Sequence, residues 1–253
     1  MKKLSRRQWI ASGLGVAAGA GGLGVATKLA QRYRLIPPDS GLLYGPGEML
    51  TYAAQRVLTA HSLVHEFRPS QISQKPFANP VGPPLDVSFK RLQEGGFKDW
   101  RLSVDGMVER QVSLSLAEIT RLPQRSQITE IACEEGWSYV AEWIGTPLSQ
   151  VLGLAGVLPE ATYVVYRSIQ KDWWDSVDMS DALHPQTFVA YGMNGADLPV
   201  QFGGPLRLRV PRQLGYKNVK YINRLTVTDN LKHFGKGLGS SAPEGGYAWY
   251  AGI

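Results

Sequence analysis

The sequence predicts an α+β body with mixed β-sheets or a barrel and short peripheral helices, and three observations predict it. Apolar residues make up 43% of the 253 positions, a globular share that excludes wholesale disorder. The 28 glycines and 16 prolines call for many turns and favour β structure over a helical bundle. Strand-like runs are joined by short helices without regular strand–helix–strand alternation, which suits a mixed sheet or barrel. The length allows one large or two small domains with a proper core.

The first 30 residues read as an export segment. Lys2, Lys3, Arg6 and Arg7 make a positive start, and Trp9 to Thr27 carries no charge. Ser5-Arg6-Arg7-Gln8-Trp9-Ile10 resembles the twin-arginine export signal, which a receptor reads as an address. The alternative is a transmembrane anchor, but six glycines between Gly13 and Gly24 make the stretch weakly apolar and a poor helix. The expectation is therefore a periplasmic protein, with membrane attachment if the signal is not cleaved. Residues 1–30 hold five of the basic residues and no acidic one, so the net charge of +6 falls to near +1 without them. A near-neutral body lacks the basic face that nucleic acid requires.

Residues 31–96 read as a linker, a helix and a wrapping segment. The linker runs to residue 47. Met49, Tyr52, Ala53, Val57 and Leu58 give Glu48 to Ala60 helical spacing. Pro69 to Pro84 is irregular. The main body spans 97–253, with residues 61–67 contributing. In it, Trp100 to Val108 is a strand turning at Asp105-Gly106. Ser115…Glu118 is a capping box opening a short helix that Pro123 ends. Gln127 to Cys133 is a strand with Cys133 at its exit, Pro147 to Leu154 a helix, and Thr162 to Ile169 a β-branched, aromatic strand. Ser180 is expected to cap a short turn through Leu183. Phe188 to Pro199 forms a hairpin about Asn194-Gly195. Leu206, Leu208 and Val210 alternate with Arg207 and Arg209, giving a strand with one apolar and one basic face. Tyr221 to Thr228 is the last strand, and the Gly- and aromatic-rich tail from Gly235 shows no period.

Cys133 is the only cysteine. In an exported chain it has no partner for a disulfide, so it is either a buried small hydrophobe or a thiolate that binds something. One cysteine and four scattered histidines give no zinc spacing. Gly-x-Gly-x-x-Gly occurs at Gly19 to Gly24, inside the export segment and without a preceding strand, so it is no dinucleotide loop. Gly-x-Ser-x-Gly is absent, against an α/β-hydrolase elbow; a Cys–His nucleophile stays open. Arg207, Arg209, Arg212, Lys217 and Lys220, with Gly203-Gly204 and Gly215, form a basic stretch that is either a solvated strand face or a seat for an anion such as phosphate.

Cys133-Glu134-Glu135-Gly136-Trp137-Ser138 with Trp143-Ile144-Gly145-Thr146-Pro147-Leu148 resembles the molybdenum-ligand segment of the sulfite oxidase superfamily, in particular its exported, methionine-sulfoxide-reducing bacterial branch. His184-Pro185, Asn194 to Pro199, Gly204 to Pro211 and Gly215 to Lys220 continue the likeness in order, over roughly residues 60–253. The resemblance implies a sulfite oxidase-type fold and molybdenum with one molybdopterin, Cys133 being the thiolate ligand of the metal. It implies that Arg207 and Asn218-Val219-Lys220 bind the pterin and its phosphate. Ser168 keeps the hydroxyl of an aligned threonine. Phe202 stands for a pterin-contacting asparagine, leaving only a backbone contact. Ser62, His65 and Glu66 stand for an Asn…Tyr-Glu segment that touches the cofactor, and His184 lies in the matched set. Glu135 and Trp137 would sit beside the metal as catalytic residues. Glu134-Glu135 replaces the arginine-rich sulfite pocket of vertebrate members, which disfavours sulfite dianion as substrate.

The implied activity is oxygen-atom transfer, or reduction of a small S- or N-oxide, at molybdenum. No Cys-x-x-Cys-His haem motif is present, so electrons are expected from a partner, a membrane b-type or soluble c-type cytochrome. Two rivals stay open: a cofactor-free exported binding protein on the same fold, and a cysteine hydrolase.

Overall fold

The computed structural model describes residues 28–30, 32–41, 45–80 and 86–253. The export-signal reading and the glycine-rich stretch lie outside them. Among the described residues no helix is long and apolar enough to cross a membrane. The chain divides into two units, Met1–Thr59 and Ala60–Ile253. In the first, helix α1 (Gly45–Leu58) overlaps the predicted helix; Tyr52 of the predicted apolar face is buried, whereas Val57 and Leu58 are exposed.

The second unit carries the sheets. Helix α2 (Val87–Glu94) precedes them, opened by Asp86, whose Oδ1 accepts the Phe89 N–H at 3.0 Å. The sequence reading treats this region as wrapping chain, yet Phe89 is core, packed edge-on to Trp100 and Tyr221. Strands β1 (Arg101–Gly106) and β2 (Val112–Ser115) come next, and then helix α3 (Leu116–Ile119) behind the expected Ser115–Glu118 capping box. Strands β3 (Arg125–Ala132) and β4 (Ser138–Pro147) lead into helix α4 (Leu148–Ala155). Strands β5 (Tyr163–Ser168) and β6 (Trp174–Asp178) lead into helix α5 (Met179–Ala182). Its cap is Asp178, which accepts the Asp181 N–H, rather than Ser180: the carboxylate sits one residue before the turn where the free N–H groups point. Strands β7 (Phe188–Met193), β8 (Ala196–Asp197), β9 (Arg207–Arg209) and β10 (Ile222–Thr228) follow, and helix α6 (Ser241–Glu244) lies in the tail.

One five-stranded sheet runs β2-β1-β10-β5-β6, with β1 and β10 parallel and the other pairs antiparallel. The other runs β3-β4-β7-β8, with β9 added to β7. The mixed α+β architecture is the one the sequence predicts. One apolar core joins Leu102, Val104, Val164, Tyr166 and Leu225 of the first sheet to α2 and to Leu148, Val151 and Leu152 of α4. A second gathers Ile131, Tyr139, Trp143, Phe188 and Phe202 on the other sheet. Burial of such side chains contributes roughly 1.5–3 kcal/mol each.

The predicted basic face of β9 is not solvated. Arg207 is 2% and Arg209 0% exposed: both guanidiniums are packed over Trp143, and β9 pairs with β7 alone.

Candidate active site

Strand β3 ends at Ala132 and β4 begins at Ser138, so residues 133–137 form a hairpin loop. The Cys133 N–H donates to the Trp137 carbonyl at 2.9 Å and the Gly136 N–H to the Cys133 carbonyl at 3.1 Å. Gly136 closes the turn at φ +87°, which a side chain would strain. Cys133 is thereby held half-buried at the strand exit, on the wall of a cavity of about 480 Å³.

The thiol's pKa is pushed up to about 12, first by burial and then by the Glu134 carboxylate, whose Oε2 accepts from Sγ at 3.0 Å. Gly215 faces it from the 3-10 turn Gly215–Lys217. A Cβ there would lie 3.1 Å from both Cys133 Cβ and Sγ, so a side chain would crowd the sulfur that glycine leaves clear.

Glu135 also lines the cavity, and its Oε2 accepts from Trp137 Nε1 and Asn79 Nδ2, each at 2.8 Å. Trp137 stacks on Tyr139 at 5.9 Å and leans on Phe77 at 5.7 Å. Asn79 connects two walls, because its carbonyl accepts from Lys220 Nζ at 2.6 Å. Sequence reasoning passed Asn79 over; it stands in the Pro-rich wrap, where no spacing marks it.

The basic stretch separates into two kinds of cation. Lys217 pairs with Asp175 and Arg212 with Asp181. Arg207, Arg209 and Lys220 have no carboxylate partner among the described residues. Arg207 donates to the carbonyls of Phe202 (2.6 Å) and Asn218 (2.7 Å), and its buried Nε has no acceptor. Arg209 donates to Asn218 Oδ1 (2.7 Å), Thr129 Oγ1 and the Glu130 carbonyl (both 3.2 Å). Both guanidiniums lie over Trp143, at 5.1 and 4.6 Å.

Burial lowers the pKa of all three. Arg209 comes down to about 9 with help from the Arg207 charge and stays cationic at neutral pH. Lys220 comes down to about 7, by burial first and then by Arg207. Buried cations without anions are costly unless a ligand supplies the charge.

Of the residues singled out from the sequence, Cys133, Glu135, Trp137, Arg207, Asn218 and Lys220 line this cavity together. Asn218 braces it: Oδ1 accepts from Arg209 and the Val210 N–H, while Nδ2 donates to the Leu214 carbonyl at 2.9 Å. Phe202 and Val219 are core side chains; Phe202 contributes the carbonyl that holds Arg207. Ser168 Oγ accepts the Gln170 N–H at 3.0 Å and so fixes the loop that carries Asp172 and Trp173 to the cavity.

Ser62, Glu66 and His184 meet elsewhere. His184 Nδ1 accepts the Gln186 N–H, so Nε2–H faces the Ser62 carbonyl at 3.2 Å, and Gln186 Nε2 reaches Glu66 at 3.3 Å. His65 is exposed and packs edge-on to Phe67. None of these four lines the cavity. The tail, which showed no period, contributes Ser241, Ala242, Gly245 and Tyr247 to its wall.

The residues present fit a molybdopterin. Cys133 offers the soft donor, Gly215 the space beside it, and Arg207 an orphaned buried N–H among uncompensated cations that suit a phosphate. Because binding an anion favours charged Lys220, affinity should be full below pH 7 and fall as pH rises above it, by roughly tenfold per unit. Calorimetry of the apo-protein with pyrophosphate across pH 6–9 would read this slope, and Lys220→Met should flatten it.

Comparison with known proteins gives the family of the chain that carries this cavity. Residues 90–233 match the oxidoreductase molybdopterin binding domain family. A putative protein-methionine-sulfoxide reductase subunit YedZ1 of Azospira oryzae is 39% identical over 161 residues, covering 64% of this chain and 59% of that protein. The protein-methionine-sulfoxide reductase catalytic subunit MsrP of Xanthomonas axonopodis is 34% identical over 147 residues, covering 52% and 46%. The chain thus spans about half the length of the curated relatives it matches. The sulfane dehydrogenase SoxCD of Paracoccus pantotrophus shares the fold, with a TM-score of 0.52 at 22% identity over 68% of this chain and 46% of that one. Motif order, fold and family match agree, and the chain belongs to the oxidoreductase molybdopterin-binding domain family within the sulfite oxidase superfamily.

Proposed function

We propose that this chain is an exported, periplasmic oxidoreductase that holds molybdenum with one molybdopterin and reduces S- or N-oxides. The observation that carries the reading is the lone thiol on the wall of a cavity shared with Arg207 and Lys220, buried cations that no carboxylate neutralises among the described residues. The names of its relatives, methionine-sulfoxide reductases, support the direction of reaction.

In the balanced reaction a sulfoxide takes up a pair of electrons and a pair of protons and gives a thioether and one water. The sulfur–oxygen bond breaks and the oxygen leaves in that water. The electrons come from an external one-electron carrier, a membrane b-type or a soluble c-type cytochrome. When bound, molybdenum would supply two-electron oxygen-atom-transfer chemistry. Cys133 binds it through Sγ, and Gly136 and Gly215 fix where that sulfur points. Arg207 and Lys220 orient the pterin phosphate by charge-assisted donation. Glu135 holds Trp137 and Asn79 in place over the cavity, and the aromatic walls exclude water from the oxide.

The rival readings have less to stand on. A cysteine nucleophile needs a lowered pKa and a base, whereas this thiol is pushed up and no histidine lines the cavity. Ser62, His65 and Phe202, the departures from the resembled family on which a cofactor-free protein would rest, do not line the cavity.

Protein made in a host that synthesises the cofactor is expected to carry about one molybdenum per chain. It should reduce alkyl aryl sulfoxides with a reduced viologen as donor. Protein without molybdenum from that host would overturn the proposal.

A further inference from the structure

We propose that the substrate carries its oxide on a cationic frame: a sulfoxide or N-oxide with a positive group a few bonds from the sulfur or nitrogen. The inference rests on the molybdopterin reading and deepens it. Arg207 and Lys220 are the basic side chains among the described lining residues. The cofactor's phosphate is the anion they lack, and Arg207, 2% exposed with an orphaned Nε, has no other among the described residues.

Once those two are committed, the charge left on the wall is acidic. Glu134, Glu135 and Asp172 line the cavity, and none forms an ion pair among the described residues. Asp175 also lines it but is neutralised by Lys217. The hydrogen bonds that reach Glu135 from Asn79 and Trp137 come from neutral donors, which orient the carboxylate without cancelling it.

The apolar part of the wall has the same preference. Trp137, Trp173, Tyr216 and Tyr247 line it, and the two tyrosines pack at 5.4 Å. Ring faces attract a cation through their quadrupole and repel an anion. Carboxylates and aromatic faces in a partly enclosed cavity reinforce each other, since weak screening there strengthens both. An anionic substrate would meet both repulsions.

Asp172 supplies the cleanest probe. It sits at φ +60°, a conformation Asn adopts as readily as Asp, so Asp172→Asn removes charge and leaves the backbone undisturbed.

The test uses holoenzyme and three sulfones of one aryl frame, which resist reduction, ending in trimethylammonium, hydroxymethyl or carboxylate. By calorimetry the cation should bind about tenfold tighter than the neutral compound at low ionic strength and the anion weaker still, with the spread shrinking as salt is added. Asp172→Asn should cut the cation-to-neutral ratio about threefold. Equal affinities, or tighter binding of the anion, would overturn the proposal. The matching sulfoxides should show the same order in KM. Ordered sulfone binding with no sulfoxide reduced would support the charge selectivity and count against oxide reduction.

Discussion

Cys133→Ala is expected to abolish oxide reduction and to lower bound molybdenum below one per chain, at a cost of about 1 kcal/mol or less to the apo-protein. The loss of activity should be complete because no other side chain replaces the sulfur, whereas Arg207 and Lys220 still seat the pterin phosphate and so retain part of the metal. The chain has one cysteine, and the described residues hold no group of three His, Cys, Asp or Glu able to ligate a metal. Glu134 and Glu135 are near, but carboxylate oxygen is a hard donor where a soft one is wanted. The small stability change follows from the loop: its hairpin bonds run through backbone atoms of Cys133, Gly136 and Trp137, not through the thiol. Elemental analysis alongside thermal unfolding separates the two quantities. Cys133→Ser should behave like the alanine variant, since a hydroxyl preserves the shape but not the softness. Unchanged oxide reduction in either variant would remove Cys133 from the site.

Much of the site was legible because its chemistry is local in sequence. Cys133 to Trp137 is one loop, and Gly203 to Lys220 carries Arg207, Gly215 and Lys220 within a short span. What the sequence could not reveal is pairing. Five cations between Arg207 and Lys220 look alike, yet Lys217 finds Asp175 and Arg212 finds Asp181, 42 and 31 residues upstream. Those acids lie on β6 and α5, and buried β6, Trp-Asp-Ser-Val-Asp, reads as too polar for an interior strand until the lysine that satisfies it is known. Strand β4 is hidden in the sequence for another reason: its alternating burial is regular, but Gly145 and Pro147 resemble loop punctuation. At Gly145 a Cβ would fall 2.1 Å from the Val189 carbonyl oxygen, so that glycine marks close strand approach rather than a turn. The same limit explains Ser62 and Glu66, since where an irregular segment docks depends on Gln186 and His184, more than 100 residues away.

Lys217→Met is expected to destabilise the fold by about 3–5 kcal/mol, a fall in Tm of roughly 10 °C. Lys217 is fully buried, and its Nζ donates to Asp175 and, at 2.7 Å, to the Ser176 carbonyl beneath the Trp249 ring. Methionine fills the volume but leaves Asp175 buried without its cation. The sign of the pH dependence follows. Burial already raises the Asp175 pKa above its ordinary value while Lys217 lowers it, so losing Lys217 raises it further. A carboxyl with a higher pKa folded than unfolded binds its proton more tightly in the native state. The variant's deficit should therefore be smallest in acid and grow as pH rises through the folded pKa. Adding Asp175→Asn should restore most of the stability, because the amide keeps an oxygen for the Ser176 N–H and carries no charge to bury. Chemical denaturation of the two variants at pH 5 and pH 8 checks this, and a pH-independent loss in the single variant would sink it. The active site should register the change too. Lys217 ends the turn that presses Gly215 against Cys133, and its carbonyl accepts the Tyr166 hydroxyl at 2.8 Å. The pair that satisfies the polar strand β6 thus also sets the wall opposite the sulfur, so molybdenum content should fall with stability in Lys217→Met and recover with it in the double variant.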